Sequence, residues 1–116
     1  MNSKYYHLMP YSDALILQKE KWQLIKSGDL EAFVIGLEHP AVISLGRREE
    51  GQNDIIESSD IEVVKTERGG RATLHSPGQL LIYPILNLEK LKLSVRDLVC
   101  LLLKVSKTTF ADFGIT

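Results

Sequence analysis

The sequence predicts an α/β (α+β) fold in which a mixed sheet has flanking helices. Two stretches, one near each end, carry apolar residues at helical spacing. Between them lie about five or six short runs that are rich in β-branched residues and separated by glycine- or proline-containing turns. The 116 residues suit one core, and no repeat or linker marks a boundary, so residues 1–116 are predicted to form a single domain.

The N-terminal elements are a short strand over Lys4–Leu8 and a helix that follows Pro10. Ser12 or Asp13 is the expected N-cap, because a side-chain oxygen of these residues accepts a hydrogen bond from the free N–H groups at a helix start. The predicted apolar stripe consists of Ala14, Leu15, Leu17, Trp22, Leu24 and Ile25. Gly28 should end the helix, since glycine adopts the left-handed conformation that follows many helices.

The central part of the chain predicts a series of short strands and turns. The predicted strands are Ala32–Leu37, Ala41–Leu45, Ile61–Lys65, Ala72–His75 and Leu80–Leu86. Residues 46–60 are polar and should form a surface loop, whereas Gly69-Gly70 and Pro77-Gly78 should form turns. Pro84 indicates that the last strand lies near a sheet edge or a bulge, because proline has no N–H to donate to a neighbouring strand.

The last predicted helix starts near Ser94 and ends before Phe113-Gly114. Its apolar stripe is formed by Val95, Leu98, Val99, Leu102 and Val105. Cys100 projects away from that stripe. A cysteine thiolate can act as a nucleophile, but the apolar sequence neighbours of Cys100 favour a structural cysteine in a covered helix.

The composition excludes several classes of protein. The 14 Lys and Arg residues and 15 Asp and Glu residues give a formal net charge of −1, which argues against a general nucleic-acid binder. No apolar run approaches the roughly 20 residues that span a bilayer, and the N-terminus lacks the apolar core of a secretory signal, so a cytoplasmic protein is expected. A single cysteine excludes an intrachain disulfide. His7, His39 and His75 are scattered without metal-ligand spacing, so neither a metal nor a cofactor is predicted.

The segment Glu67–Gln79, ERGGRATLHSPGQ, is the strongest candidate for a binding site. Gly69-Gly70 would let the backbone approach a ligand closely, because glycine has no Cβ, and exposed N–H groups there could hold a carbonyl or an anion. Arg68 and Arg71 could add charge-assisted hydrogen bonds to phosphate or carboxylate. The competing interpretation is a hairpin with a glycine turn and solvated arginines.

Two further pairs of residues could contribute to this site. Thr73 and His75 lie two positions apart, so both face the same side if their run is a strand. In the run EHPAVISLGRR, His39 follows one predicted strand and Arg47 follows the next. The functional interpretation places His39 and Arg47 on the rim of the site built by residues 68–79. The alternative is that both are ordinary loop residues.

The run LEHPAVISLGRR followed by ERGGRATLHSPGQLLIYPILNL resembles the lipoyl(octanoyl) transferase family, whose members start protein lipoylation. Both motifs occur in the family's order and spacing, and the resemblance runs from Tyr11 to Ile115. It implies the catalytic-domain fold of the biotin/lipoate protein ligase class. It also implies transfer of an octanoyl group from acyl carrier protein to a lysine of lipoyl domains, including those of 2-oxoacid dehydrogenases, and of the glycine cleavage H protein.

The resemblance further implies an acyl pocket lined by the segment from the first arginine to the histidine. By position, substrate binding is carried over to Arg68, Gly69, Gly70, Arg71, Ala72, Thr73, Leu74 and His75, with Gln79 following in the same motif. Two positions depart from the family pattern. The family usually has Tyr at the position of Leu74, so the hydroxyl of that tyrosine is lost. It usually has Gly at the position of Ser76, and the serine side chain leaves less space for close approach to the backbone.

The covalent step of the family raises a separate expectation. Family members form a thioester on a cysteine beside a lysine, and both lie in segments after the equivalent of Thr116; Cys100 does not match the nucleophile. The chain is therefore expected to be a C-terminally truncated N-terminal part, inactive alone, whose second half is supplied by another chain if the enzyme is split. Two other hypotheses stay open: a non-catalytic acyl- or protein-binding remnant, and Cys100 as an alternative nucleophile. Because a truncated sheet exposes an edge and an apolar face, self-association is also predicted.

Overall fold

The computed structural model describes residues 2–47 and 60–116 and contains mixed helices and strands. The elements in chain order are β1 (Asn2–Leu8), α1 (Tyr11–Ser27), β2 (Phe33–Glu38), β3 (Val42–Leu45), β4 (Glu62–Lys65), β5 (Thr73–His75), β6 (Leu81–Ile85), α2 (Leu88–Leu91) and α3 (Val95–Asp112). They divide into a sheet unit, Met1–Ile85, and a helical unit, Leu86–Thr116. The predicted fold class is confirmed. Residues 48–59 of the predicted loop, including Arg48, lie outside the described residues.

The sheet unit contains two three-stranded sheets, ordered β1-β2-β6 and β4-β3-β5. Each sheet is mixed, because its central strand has one parallel and one antiparallel neighbour. In the first sheet, β2 pairs with β1 in parallel and with β6 antiparallel. In the second sheet, β3 pairs with β4 in parallel and with β5 antiparallel. In the second sheet, Ser44 lies opposite Thr73 and Val42 lies opposite His75. Because side chains alternate along a strand, Ser44 and His75 are diagonal neighbours on one face of that sheet.

The core of the sheet unit lies between α1 and β2. Ala14 and Ile25 of α1 and Phe33, Ile35 and Leu37 of β2 are buried in one cluster. These helix residues lie eleven positions apart, about three turns, and so face the same side. Since β2 is hydrogen-bonded on both edges, most of its residues are buried. The predicted stripe was too wide, because Trp22 and Leu24 are exposed.

The start of α1 differs from the prediction. Pro10 is the N-cap residue, no side chain caps the helix, and the Pro10 carbonyl accepts the first hydrogen bond, from Ala14 N–H. Ser12 and Asp13 therefore lie within the first turn, where the Asp13 charge interacts favourably with the helix dipole. Residue Tyr11 begins the helix because its ring is buried. The predicted end at Gly28 is confirmed by its φ of 88°.

Strands β1 and β6 border the first sheet in the described part of the chain. The prediction that Pro84 lies near an edge is confirmed, since β6 pairs with β2 on one side and Pro84 lies opposite Val34. Strand β1 is longer than predicted, and its register with β2 is irregular between Tyr5 and Leu8. At this irregularity His7 has a φ of 62°, the left-handed conformation that is uncommon for a residue with a side chain.

The helical unit contains the short helix α2, which the sequence analysis did not predict, and α3. The Asn87 side chain caps α2 by accepting a hydrogen bond from Lys90 N–H. Ser94 and Asp97 form a capping box that confirms the predicted start of α3. Cys100 is exposed, so the described residues do not provide the expected cover. None of the described helices is long and apolar enough to cross a membrane.

Candidate functional site

The buried side chain of Ser44 is the centre of the candidate site. This serine lies on β3 and is fully buried, with 0% of its surface exposed. Its Oγ lies 2.8 Å from Nη2 and 3.2 Å from Nε of Arg68, and 3.3 Å from Nε2 of His75. The hydroxyl therefore joins the loop before β5 to the last residue of β5. Sequence analysis did not select Ser44, because a lone serine in an apolar strand carries no distinguishing pattern.

The guanidinium of Arg68 holds its own loop in place. Besides the Ser44 hydroxyl, it donates hydrogen bonds to the carbonyls of Ser44, Gly69 and Arg71, the last two across 2.7 and 2.8 Å. Carbonyl acceptors on both sides of the turn fix the path of the backbone. Arg68 was predicted to bind a ligand anion; the structure shows that most of its donors serve the chain itself, so its described role is to shape the site.

Three glycines at this loop have different structural requirements. A Cβ on Gly46 would lie 1.9 Å from the carbonyl oxygen of Gly70, so only glycine lets the end of β3 approach the loop. Gly70 has a φ of 86°, which also favours glycine. Around Gly69, by contrast, no atom lies within 4 Å of the Cβ position. Of Gly69 and Gly70, Gly69 is therefore the position with free space around it.

Arg47 and His39, predicted on the rim, differ in position. The Arg47 backbone N–H donates to the Arg68 carbonyl across 2.9 Å, and Arg47 is exposed, so it lies beside the loop. His39 is fully buried and is therefore not an exposed rim residue. Its ring centroid lies 5.7 Å from that of His75, edge to face, because β2 and β5 deliver both histidines to the same interior space.

Both ring nitrogens of His39 have partners. Nδ1 donates to the Met9 carbonyl across 2.8 Å, and Nε2 accepts from the Tyr83 hydroxyl across 2.8 Å. Burial lowers the pKa of His39, the Met9 carbonyl opposes that shift, and the charge of His75 adds to it. Burial is also the main cause that raises the pKa of Tyr83 to about 12, so Tyr83 stays a hydrogen-bond donor at neutral pH.

A tyrosine ring packs against both histidines. The Tyr11 centroid lies 5.0 Å from that of His39 and 5.9 Å from that of His75, with the His75 ring tilted by only 20°. Such spacings are those of favourable aromatic pairs. Tyr11 and Tyr83 were missed by sequence analysis, since a tyrosine in an apolar pattern is indistinguishable from a core residue.

Strand β5 and the following turn carry the remaining predicted residues. Thr73 and Leu74 are exposed, Ala72 is half-buried, and only His75 of this strand is buried. The Gln79 side-chain oxygen Oε1 lies 2.8 Å from Nδ1 of His75. The β5 prediction is confirmed, while the assignment of these residues to substrate binding stays a prediction.

A second contact holds the turn between β5 and β6. The Glu38 carboxylate accepts hydrogen bonds from the Gly78 backbone N–H and from the Tyr5 hydroxyl, across 2.6 and 2.7 Å. The Tyr5 hydroxyl first, and then the Gly78 N–H, lowers the pKa of Glu38. The contact connects β1, β2 and the Pro77-Gly78 turn, and so supports the position of Gln79.

The polar side chains of the described site are hydrogen-bonded within the protein. Every buried side-chain N or O atom among residues 2–47 and 60–116 has a hydrogen-bond partner. Within the same residues, no group of three or more His, Cys, Asp or Glu side chains could hold a metal ion. The site thus combines an open glycine, an arginine-braced loop and packed aromatic rings.

Comparison with known proteins identifies the family. The family model of the lipoyl protein ligase A/B catalytic domain matches residues 10–116. The octanoyltransferase of Cellvibrio japonicus is 43% identical over 79 residues, which cover 68% of this chain and 36% of that protein. The octanoyltransferase of Maridesulfovibrio salexigens is 33% identical over 113 residues, covering 93% of this chain and 53% of that protein. The octanoyltransferase of Caldicellulosiruptor saccharolyticus is 34% identical over 121 residues, covering 99% of this chain and 52% of that protein.

The chain therefore spans between 36% and 53% of the length of these relatives. Its resemblance to the octanoyltransferases is confirmed. Since the family model covers nearly the whole chain, including both motifs and the residues around Ser44, the chain belongs to the lipoyl protein ligase A/B catalytic domain family.

Proposed function

We propose that this chain carries the acyl-binding part of an octanoyltransferase. The enzyme would move an octanoyl group from acyl carrier protein to a lysine of lipoyl domains, including those of 2-oxoacid dehydrogenases, and of the glycine cleavage H protein. The observation that carries the proposal is the loop at residues 68–71. It is braced from within by Arg68 and Ser44, and yet it is open at Gly69.

The properties of the loop and of β5 suit a medium-length acyl thioester. Such a group has one polar carbonyl and an apolar chain. The backbone at Gly69 is accessible to the carbonyl, because no atom lies within 4 Å of its Cβ position. Leu74 is 54% exposed, so β5 also offers apolar surface on its face opposite His75. These features support an acyl ligand over a phosphate, since the Arg68 donors are largely engaged within the protein.

We assign the covalent step to groups outside the described site. Cys100 is the single cysteine of the sequence, and it does not match the family's nucleophile position. A thioester step would need a cysteine and a lysine from a second chain or from further residues of the same polypeptide. Exposed apolar residues on α3, such as Leu103 at 67% and Val95 at 70%, support cover by another chain or by a copy. We place this reaction in the cytoplasm.

The test is an octanoyl-transfer assay on the full-length protein, meaning this chain together with the residues or second chain that supply the cysteine and lysine. Octanoyl-acyl carrier protein is the donor, and an unmodified lipoyl domain is the acceptor. Gly69→Val adds a side chain where the structure has room, so the fold should persist while the ligand's space is occupied. We expect at least about a tenfold loss of transfer, as a displaced ligand costs 1.4 kcal/mol or more. Ala41→Val, at an exposed position of the same unit, is the matched control. Full transfer by Gly69→Val would contradict the proposal.

A further inference from the structure

The hydrogen of the buried Ser44 hydroxyl has a single acceptor among its described partners. A hydroxyl oxygen accepts two hydrogen bonds and donates one. Ser44 Oγ faces two nitrogens of Arg68, Nη2 at 2.8 Å and Nε at 3.2 Å, and Nη2 shares its two hydrogens between Ser44 Oγ and the carbonyls of Ser44 and Arg71. Both Arg68 groups can only donate, because a guanidinium has no acceptor. The Ser44 hydrogen therefore remains for its third neighbour, Nε2 of His75, at 3.3 Å.

This arrangement determines where His75 carries its proton. If Nε2 accepts the hydrogen of Ser44, the neutral ring must carry its proton on Nδ1. That proton is then donated to Oε1 of Gln79 across 2.8 Å. The opposite tautomer would direct an Nε2–H group at Ser44 Oγ and leave the buried Ser44 hydrogen without an acceptor among its described partners. The chain of donors thus runs from Arg68 through Ser44 and His75 to Gln79.

The neighbouring rings of Tyr11 and His39 also restrict the orientation of the His75 ring. Tyr11 stacks on it with an interplanar angle of 20°, and His39 meets it edge to face at 5.7 Å. The same argument gives His39 a proton on Nδ1, because the Met9 carbonyl can only accept. Two adjacent histidines therefore have the same proton placement, and each has its nitrogens turned to protein partners.

We propose that Ser44 is a positioning residue, which fixes the orientation of His75 and keeps its proton on Nδ1. This inference rests on the proposed function, and its consequence is that His75 faces the acyl group with a fixed ring whose nitrogens are both engaged. Gln79 has a secondary role, since an amide side chain can turn to offer either a donor or an acceptor. Ser44 has no such freedom, because its other described partner, Arg68, can only donate.

The proposal is tested by 15N NMR of the histidine ring nitrogens in the full-length protein, because protonated and unprotonated ring nitrogens resonate far apart. The variants are Ser44→Ala, Ser44→Thr and Gln79→Leu, with Ser106→Ala on α3 as the control. We expect the Nδ1–H tautomer of His75 in the unmodified protein, in Ser44→Thr, in Gln79→Leu and in the control. Ser44→Ala should show a mixture of tautomers or the Nε2–H form.

Several results would overturn the inference. One is an Nε2–H tautomer in the unmodified protein, and another is an unchanged tautomer in Ser44→Ala. A third is a tautomer that changes in Gln79→Leu but not in Ser44→Ala, which would make Gln79 the determining residue. Because Gln79 is exposed, its variant should fold and keep the experiment decisive.

An octanoate titration of the same samples separates this inference from the proposed function. The dissociation constant should rise about tenfold in Ser44→Ala, the cost of one lost buried hydrogen bond, and should return toward the original value in Ser44→Thr. Absence of octanoate binding with the expected tautomers would reject the proposed function and leave the positioning role of Ser44 supported.

Discussion

The carboxylate of Glu38 accepts a hydrogen bond from the backbone N–H of Gly78, with 2.6 Å between oxygen and nitrogen. This contact joins the end of β2 to the turn that precedes β6, forty residues later in the chain. Gly78 itself has a φ of 92°, which favours glycine, and no atom lies within 4 Å of its Cβ position. The contact connects the sheet core to the turn that presents Gln79.

The Glu38 contact predicts a dependence of stability on acidic pH. Hydrogen bonds from Tyr5 and Gly78 lower the folded-state pKa of Glu38. The carboxylate therefore stabilises the fold above the unfolded-state pKa, and this contribution disappears as pH falls through the folded-state pKa. Urea unfolding should show Glu38→Ala less stable than the unmodified protein at pH 7, with the difference shrinking toward pH 3. A difference that stays constant over this range would contradict the assignment.

The hydrogen bond between Tyr83 and buried His39 predicts that removing the Tyr83 hydroxyl lowers the stability of the fold. Tyr83→Phe leaves Nε2 of His39 without its donor, in a buried position. A buried polar group left without a partner costs about 1–3 kcal/mol of unfolding free energy. Chemical denaturation measures this loss, and Tyr6→Phe, the same change at a half-buried position of β1, serves as the control. Equal stability of the two variants would show that the pair is not important.

A third prediction concerns pH values between about 7 and 5. Burial lowers the folded-state pKa of His39. Below the unfolded-state pKa of about 6.5, the unfolded chain binds a proton that folded His39 does not, so the unfolding free energy falls as pH falls toward the folded-state pKa. His39→Gln removes this titration, and its stability should change less with pH over the same interval. Parallel pH profiles of the two proteins would contradict the expected shift.

Two glycine substitutions that look equivalent in sequence should differ in effect. Gly46→Ala places a Cβ against the Gly70 carbonyl and should cost about 1–3 kcal/mol or more, as overpacking does. Gly69→Ala has free space and no left-handed φ, so it should change stability by less than about 1 kcal/mol, and a gain is compatible with the lower entropy of the unfolded chain. Thermal unfolding of both variants checks the contrast; equal losses would contradict the described approach of Gly46 to Gly70.

These contrasts show which features were accessible to sequence analysis. The helix ends at Gly28 and Ser94 and the strand position of Pro84 were predictable, because each rests on the local chemistry of one residue type. The N-cap of α1 was not, because burial of Tyr11 against the histidines outweighed the capping preference of Ser12. Tertiary packing decides such positions, and a single sequence does not contain it.

The candidate site was predictable in part for the same reason. The glycine- and arginine-rich segment stands out by composition, so Arg68, Gly69 and His75 were selected. Ser44, the common partner of Arg68 and His75, was not selected, since its importance comes from the pairing of β3 with β5. His39 was placed on the rim, although β2 delivers it to the interior, where Met9 and Tyr83 satisfy both nitrogens.

The cysteine gives a prediction that separates two hypotheses for acyl transfer. Cys100 lies on α3 and is exposed, so its thiol is accessible to reagents. If the described residues bind the acyl group without forming a thioester, Cys100→Ala should leave octanoyl transfer by the full-length protein within about twofold of the original rate. Intact-mass analysis after incubation with the donor should show equal acylation of both proteins. Loss of acylation in Cys100→Ala would establish the alternative nucleophile instead.

The most direct test of the central claim is photo-crosslinking with an octanoate analogue that carries a diazirine near its end, followed by peptide mapping. The account predicts that the label appears on residues 68–79 and that excess octanoate prevents it. Gly69→Val should reduce the labelling, while Ala41→Val should not. Labelling confined to α3, or labelling that octanoate does not displace, would contradict the claim that this segment forms the acyl site.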